Sequence, residues 1–207
     1  MNSEVGLTMG GLSRTHRISL IALFTALAIV LNLVIAIPAP YEPFLFYEVW
    51  EVPILLAVIV MGFRDGTVVA LLNTLMLEAY KPGPLPTGPV YNLIAQLSMF
   101  VGVVLVGRRG GGLGRGALVA AATGLGAVLR TGVMTVVNGL VLPQPFPVGF
   151  SIPNAAVPGL LVLIGIFNFT TALYTVPLAY AGAVALESRY PRLFESVRAG
   201  TVAPTTG

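Results

Sequence analysis

The stretch ISLIALFTALAIVLNLVIAI, residues 18–37, decides how the rest of the chain is interpreted. It contains no charged side chain. At a rise of about 1.5 Å per residue, a helix of this length matches the roughly 30 Å hydrocarbon core of a bilayer. Pro38 and Pro40 follow as a helix stop rather than as part of a signal-peptide cleavage site. We therefore predict a membrane-spanning helix that stays in the protein.

The composition extends this prediction to the whole chain. Of the 207 residues, 56% are apolar and 9% are charged, whereas soluble domains carry about 25% charged residues. Cysteine is absent and histidine occurs once, which excludes disulfides, thiolate metal sites and cysteine nucleophiles. This composition is typical of an integral membrane protein.

Five further apolar runs follow the first one. Two are short, residues 52–63 and 67–77, and the polar turn Arg64-Asp65-Gly66 separates them. The longer runs cover residues 90–106, 117–142 and 155–186. Together they predict an all-α membrane protein, a bundle of six transmembrane helices over residues 14–190. We expect a flexible N-terminal segment over residues 1–13 and a cytoplasmic C-terminal tail over residues 191–207.

The basic residues predict the orientation of this bundle. With the N-terminus inside, nine arginines fall on inner segments, against Lys81 alone on the outer segments and Arg130 within a helix. This is the positive-inside bias of membrane proteins, so both termini are predicted to be cytoplasmic. The net charge of +3 is then explained by topology rather than by nucleic-acid binding. The nine inner residues are Arg14, Arg17, Arg64, Arg108, Arg109, Arg115, Arg189, Arg192 and Arg198.

The outer segments are rich in proline and aromatic residues. Residues 38–51 read PAPYEPFLFYEVWE and predict a stiff loop. The aromatic side chains form either an interfacial belt or a lid over a pocket for a planar ligand. Glu48 and Glu51 are interpreted as a solvated helix start, because acidic residues favour that end of the helix dipole.

Polar residues inside the predicted spans mark the candidate site, because each is costly in lipid and usually faces the bundle interior. Arg130 falls near the middle of the fifth helix, and Glu78 is its predicted partner. The amides near or within the spans either join helices or bind a ligand: Asn32, Asn73, Asn92, Gln96, Asn138, Asn154 and Asn168. Asn92, Asn138 and Asn168 are expected near outer helix ends, which suits a flat, neutral, heteroatom-rich ligand.

Catalytic motifs are missing from the sequence. It contains no His-Glu-x-x-His, Gly-x-Ser-x-Gly or Walker lysine motif. The glycine-rich stretch 109–116 lacks the spacing of a nucleotide-binding loop. We therefore predict no enzyme activity, no catalytic residue, no metal and no cofactor.

In the order of its features, the chain resembles the S component, the substrate-binding subunit, of an energy-coupling factor (ECF) vitamin transporter. It is most similar to the riboflavin-specific branch, over about residues 18–186. The features are the alanine pair Ala22 and Ala26, the acidic segment 48–53 ending in proline, the glycine-rich turn 62–66, the glycine and amide of 88–92, Asn138, and the Phe167-Asn168 pair. Thr171 stands where riboflavin binders carry a lysine.

The resemblance implies a transport function without catalysis. An S component binds its vitamin at the outer face, under the loop between helices 1 and 2. It associates with a membrane T component and two cytosolic ATPase subunits, and topples in the bilayer to release the vitamin inside. The resemblance also implies a multi-pass protein of a prokaryotic cell membrane.

The candidate residues follow from these matches. Ala22 and Ala26 are candidates for docking on the T component. The substrate-binding candidates are the polar residues Asn138, Asn168, Thr171, Asn92 and Gln96 and the aromatic wall residues Phe44, Phe46, Tyr47 and Tyr91.

Riboflavin is the predicted substrate, and several alternatives stay open. Cobalamin, pantothenate or a thiamin-like base could take its place, and a cationic substrate would favour Glu48, Glu51 and Glu78 as ligands. From other classes, the chain could be a structural membrane protein whose amides only join helices, or an intramembrane enzyme that uses Glu48 and Glu51.

Overall fold

The computed structural model describes residues 13–34, 36–80 and 85–191, without the side chains of Pro43 and Phe44. Nearly all of the predicted N-terminal segment 1–13 and C-terminal tail 191–207 lies outside these ranges. The described residues form six helices and one antiparallel pair of strands. In chain order the elements are α1 (Arg14–Val34), β1 (Ala36–Ala39), β2 (Glu42–Glu48), α2 (Glu51–Met61), α3 (Phe63–Tyr80), α4 (Gly88–Arg109), α5 (Arg115–Val141) and α6 (Val157–Arg189).

A β-hairpin follows α1 where the sequence predicts a loop. Helix α1 ends at Val34, three residues before the predicted limit, and Ile37 pairs with Tyr47 across the hairpin. The register shifts after Pro38, so that Ala39 lies opposite Glu42. The aromatic run of β2 favours a strand, and the ladder supplies partners for the backbone polar groups. The all-α prediction is therefore wrong for this segment.

Helices α2 and α3 are joined at Gly62, not at the predicted turn Arg64-Asp65-Gly66. Gly62 has a φ of 96°, a conformation that glycine adopts without steric cost. Asp65 and Gly66 consequently lie in the first turn of α3. A Cβ atom on Gly66 would lie 2.6 Å from the Cα of Val58. Only a glycine therefore lets the two helices approach this closely.

The helices pack largely in the order of the chain. Helix α1 contacts α2 and α3, α3 contacts α4, α4 contacts α5, and α5 contacts α6, which returns to α2. The Asp65 carboxylate accepts hydrogen bonds of 2.6 and 3.0 Å from Arg17 and so ties α3 to the start of α1. Between α4 and α5, a Cβ on Gly102 would lie 2.8 Å from the Cα of Gly126. Small residues thus set the closest approaches.

Four of the described helices are long and apolar enough to cross a membrane: α1, α4, α5 and α6. Helix α2 has only 11 residues, and α3 carries Arg64, Asp65 and Glu78. On α1, the outward-facing Leu23, Val30 and Leu33 are exposed by 60%, 53% and 62%. A helix that is apolar on its outer as well as its inner face suits lipid as its surroundings.

Candidate functional site

A cavity of about 390 Å³ lies at the end of the bundle that carries the β-hairpin. All eight elements contribute lining residues; α1, β1 and α3 supply one each, namely Asn32, Ala36 and Leu77. The volume falls within the range of about 300–1,000 Å³ that is usual for small-molecule sites. Its aromatic lining consists of Phe46, Trp50, Tyr91, Phe150, Phe167 and Tyr174. The cavity therefore has the size and the walls of a site for a planar organic ligand.

Most of the predicted substrate-binding residues line this one cavity. They are Asn92, Asn138, Asn168, Thr171, Phe46 and Tyr91. Gln96 is fully buried one turn further along α4 and does not line the cavity; its Nε2 donates to the carbonyl of Asn92 at 3.2 Å. Tyr47 is also outside the lining, and the side chain of Phe44 lies outside the described residues.

The amides reach the cavity from different depths. Asn92 and Asn138 lie within one turn or so of the hairpin-side ends of α4 and α5. Asn168 lies 11 residues into α6, counting from Val157, which is about 16 Å along the helix axis. Asn154 is exposed in the connection before α6 and does not contribute to the lining. The prediction that Asn168 lies near the outer end of its helix is therefore wrong, and the cavity reaches about 16 Å along α6.

An ion pair lies deep in the cavity wall. Nη1 and Nη2 of Arg130 donate to the two carboxylate oxygens of Glu51, the second at 2.9 Å, and Nε donates to Oδ1 of Asn168 at 3.0 Å. The prediction that Glu78 pairs with Arg130 is wrong, because the carboxylate that Arg130 contacts belongs to Glu51 at the start of α2. The predicted solvated helix start is also wrong, since Glu51 is only 5% exposed.

The charges around the cavity nearly cancel. Among the described lining residues, the charged ones are Glu48, Glu51 and Arg130. The Glu48 carboxylate accepts a hydrogen bond of 2.6 Å from the indole of Trp50, and its backbone carbonyl accepts one of 2.8 Å from Tyr174. With Glu51 neutralised by Arg130, the lining presents no net positive charge to a ligand.

The hairpin is fastened to α6 through tyrosines. The hydroxyl of Tyr47 is hydrogen-bonded to that of Tyr41 and, at 2.8 Å, to Thr170. The Tyr47 ring lies 5.0 Å from that of Phe167. Desolvation raises the pKa of the Tyr41 phenol to about 12, and the hydrogen bond to Tyr47 adds to this effect. A tyrosine phenol is protonated at physiological pH even at its ordinary pKa of about 10, so the raised pKa of Tyr41 only widens the alkaline range over which this link stays uncharged.

A second cover comes from the connection between α5 and α6. The Tyr91 hydroxyl donates to the carbonyl of Val148 at 2.8 Å, and the Thr87 hydroxyl donates to that of Pro147 at 3.0 Å. These bonds tie the connection to the start of α4. Phe150 from the same connection lines the cavity. The cavity is thus covered by the hairpin and by this connection.

The sequence reasoning missed several lining residues that helical spacing could have found. Phe167, Thr171 and Tyr174 are four and three residues apart, which places them on one face of α6. All three line the cavity, although only Thr171 was predicted. The contact between Glu51 and Arg130 spans 79 residues of sequence, and no local pattern indicates it.

We compared the chain with protein families, curated proteins and solved structures. No protein-family model matches the chain, and no curated protein matches it either. A solved structure, reported as the structure and mechanism of the S component of a bacterial ECF transporter, matches it with a TM-score of 0.70. The match has 23% sequence identity and covers 85% of this chain and 98% of that one. The two proteins share one fold.

The shared fold confirms part of the prediction. The chain is a mostly helical, multi-pass membrane protein with the architecture of an S component. The count of six membrane spans, the cytoplasmic termini and the vitamin stay predictions.

Proposed function

We propose that the chain is the substrate-binding S component of an ECF-type transporter for vitamin uptake, that its substrate is riboflavin, and that it is not an enzyme. The observation that carries the proposal is the covered cavity at the hairpin end of an S-component fold. Its amides and aromatic rings converge from separate elements. A protein whose amides only joined helices would have no need of such a cavity.

The chemistry of the lining supports a flat, uncharged ligand. The aromatic rings offer stacking surfaces, and the amides of Asn92 and Asn138 with the hydroxyl of Thr171 offer hydrogen bonds. The isoalloxazine ring of riboflavin is planar, uncharged and rich in carbonyl oxygens and ring nitrogens. It therefore matches both kinds of lining group.

The alternative vitamins fit the cavity less well. Cobalamin is far larger than riboflavin and exceeds a cavity of about 390 Å³. Pantothenate is an anion, and the described lining residues offer it no uncompensated positive charge. A thiamin-like cation is the second candidate, because Glu48 lines the cavity. Glu78, the third predicted ligand for a cation, does not line the cavity.

An enzyme that uses Glu48 and Glu51 as a catalytic pair is disfavoured, because Glu51 is already paired with Arg130.

The proposal includes the membrane setting and the partners. We infer six membrane-spanning helices, cytoplasmic termini and the cell membrane of a prokaryote. The partners are a membrane T component and two cytosolic ATPase subunits. Ala22 and Ala26 are exposed on α1, and two small residues one turn apart allow the close approach of another helix. This surface is the proposed docking site for the T component.

Titration of the purified protein with riboflavin tests the proposal. Flavin fluorescence should be quenched saturably, because the aromatic walls stack on the ring. Asn138→Leu should weaken binding by about 2- to 10-fold, since a hydrogen bond contributes about 0.5–1.5 kcal/mol. Asn154→Ala is the matched control, because Asn154 is an exposed amide outside the cavity, and it should bind riboflavin like the wild type.

Two outcomes would contradict the proposal at different levels. A protein that never quenches riboflavin but is thermally stabilised by thiamin excludes riboflavin and favours the cationic alternative. A protein that is stabilised by none of these vitamins contradicts the S-component function itself.

A further inference from the structure

We propose that Glu51 is the internal counter-anion of Arg130 and thereby keeps the cavity from selecting anionic ligands. The inference rests on the proposed function, since it takes the cavity as the place where the ligand binds. It assigns Glu51 as a positioning residue rather than as a primary ligand contact.

The three side chains form a connected set in the cavity wall. Arg130 donates to both carboxylate oxygens of Glu51 and to Oδ1 of Asn168. The side chains of Arg130 and Glu51 are 2% and 6% exposed, yet both residues line the cavity. A ligand that enters therefore meets an ion pair that is already complete.

The need for Glu51 follows from the chemistry of arginine. A guanidinium group does not lose its proton in proteins, so burial cannot neutralise it. Without Glu51, the buried charge would require another anion, and breaking such a pair is strongly unfavourable. An anionic ligand or a solvent anion could supply it. Glu51 thus keeps the strongest anion-binding group of the cavity occupied.

The same pair orients Asn168. Its Oδ1 accepts from Arg130, and its Nδ2 donates to the carbonyl of Ile164 at 2.9 Å. In the described structure, one N–H of Asn168 and two of the five N–H groups of Arg130 are left without a partner. These groups are donors, and they match the carbonyl oxygens and ring nitrogens of an uncharged heterocycle.

Chemical rescue tests the inference. Glu51→Ala removes the carboxylate and leaves a gap beside Arg130 that formate can fill. The midpoint of thermal unfolding of this variant should fall below that of the wild type and rise again when sodium formate is added. Its riboflavin affinity, measured by fluorescence quenching, should fall about tenfold or more and recover in formate. The double variant Glu51→Ala/Arg130→Met removes both charges and should show no response to formate.

The outcomes separate this inference from the proposed function. Absence of formate rescue in Glu51→Ala, or equal rescue in the double variant, would overturn the inference. If Glu51→Ala can be purified only in formate and unfolds when formate is removed, the inference is supported. A wild-type protein that fails to bind riboflavin contradicts the proposed function alone, because the thermal rescue requires no vitamin.

Discussion

Buried polar side chains in this protein differ in whether they have partners. Arg130 joins Glu51 and Asn168 across three helices. Asn73 on α3 is fully buried, and neither Oδ1 nor Nδ2 forms a hydrogen bond in the described structure. An unsatisfied buried amide costs free energy that a paired one does not. We therefore expect the two buried amides to differ: Asn73, which has no partner, should lower the stability of the bundle, whereas Asn168, which binds Arg130, should raise it.

We predict that Asn73→Leu stabilises the protein. Leucine has the same number and branching of heavy atoms as asparagine and leaves no polar atom unsatisfied, so the free energy of unfolding should rise by about 1–3 kcal/mol. Thermal unfolding of the purified protein in detergent measures this change. Asn168→Leu is the comparison and should destabilise, because it removes an acceptor from Arg130. If Asn73→Leu destabilises the protein as well, Asn73 has a partner such as an internal water molecule.

At the scale of the elements, glycines determine how closely the helices pack. Gly66→Ala would place a Cβ 2.2 Å from Cγ2 of Val58 and 2.6 Å from its Cα. Because backbone atoms cannot move aside as a side chain does, α3 must shift away from α2. We predict a loss of at least about 1–3 kcal/mol in the free energy of unfolding, the usual cost of overpacking.

The matched control for this substitution is Gly124→Ala. Gly124 lies inside α5, and a Cβ there has nothing within 4 Å. Alanine should be neutral there or stabilise by about 0.5–1 kcal/mol, because it favours the helix over the unfolded chain. Equal effects of the two substitutions on the unfolding midpoint would show that the contact between α2 and α3 is not limiting.

Helices α4, α5 and α6 were largely predictable from the sequence because their apolar runs are long. The ends of α4, α5 and α6 differ from the predicted ends by no more than three residues. The hairpin was missed because Ile37 belongs to the same apolar run as α1, and hydrophobicity alone does not separate a strand from a helix. The turn between α2 and α3 was predicted too late in the chain, because the positive φ of Gly62 leaves no trace in the hydropathy pattern. Asn138 and Thr171 were found in the cavity, whereas the Glu51–Arg130 pair depends on long-range packing.

At the scale of the whole molecule, two surfaces serve two separate tasks under the proposed function. The cavity lies at the hairpin end, whereas Ala22 and Ala26 lie on the exposed face of α1. Neither alanine lines the cavity. Binding of the vitamin and association with the T component should therefore respond to different substitutions.

We predict that the double variant Ala22→Trp/Ala26→Trp abolishes vitamin uptake without loss of binding. The two indoles would prevent another helix from approaching α1, while the purified variant should still quench riboflavin with wild-type affinity. Val128→Trp is the control, since Val128 is 59% exposed on α5; it should leave uptake unchanged. Uptake at the wild-type rate in the double variant would place the docking surface elsewhere.

The short α2 helix also gives the depth in the membrane at which a ligand in the cavity is bound. Glu51 lines the cavity, and the 11 residues from it to Met61 span about 16 Å, half of a bilayer core of roughly 30 Å. Beyond this helix lies Gly62, at the opposite end of the bundle. Under the proposed function, a vitamin beside Glu51 has therefore completed about half of its journey across the membrane before any energy from ATP is used.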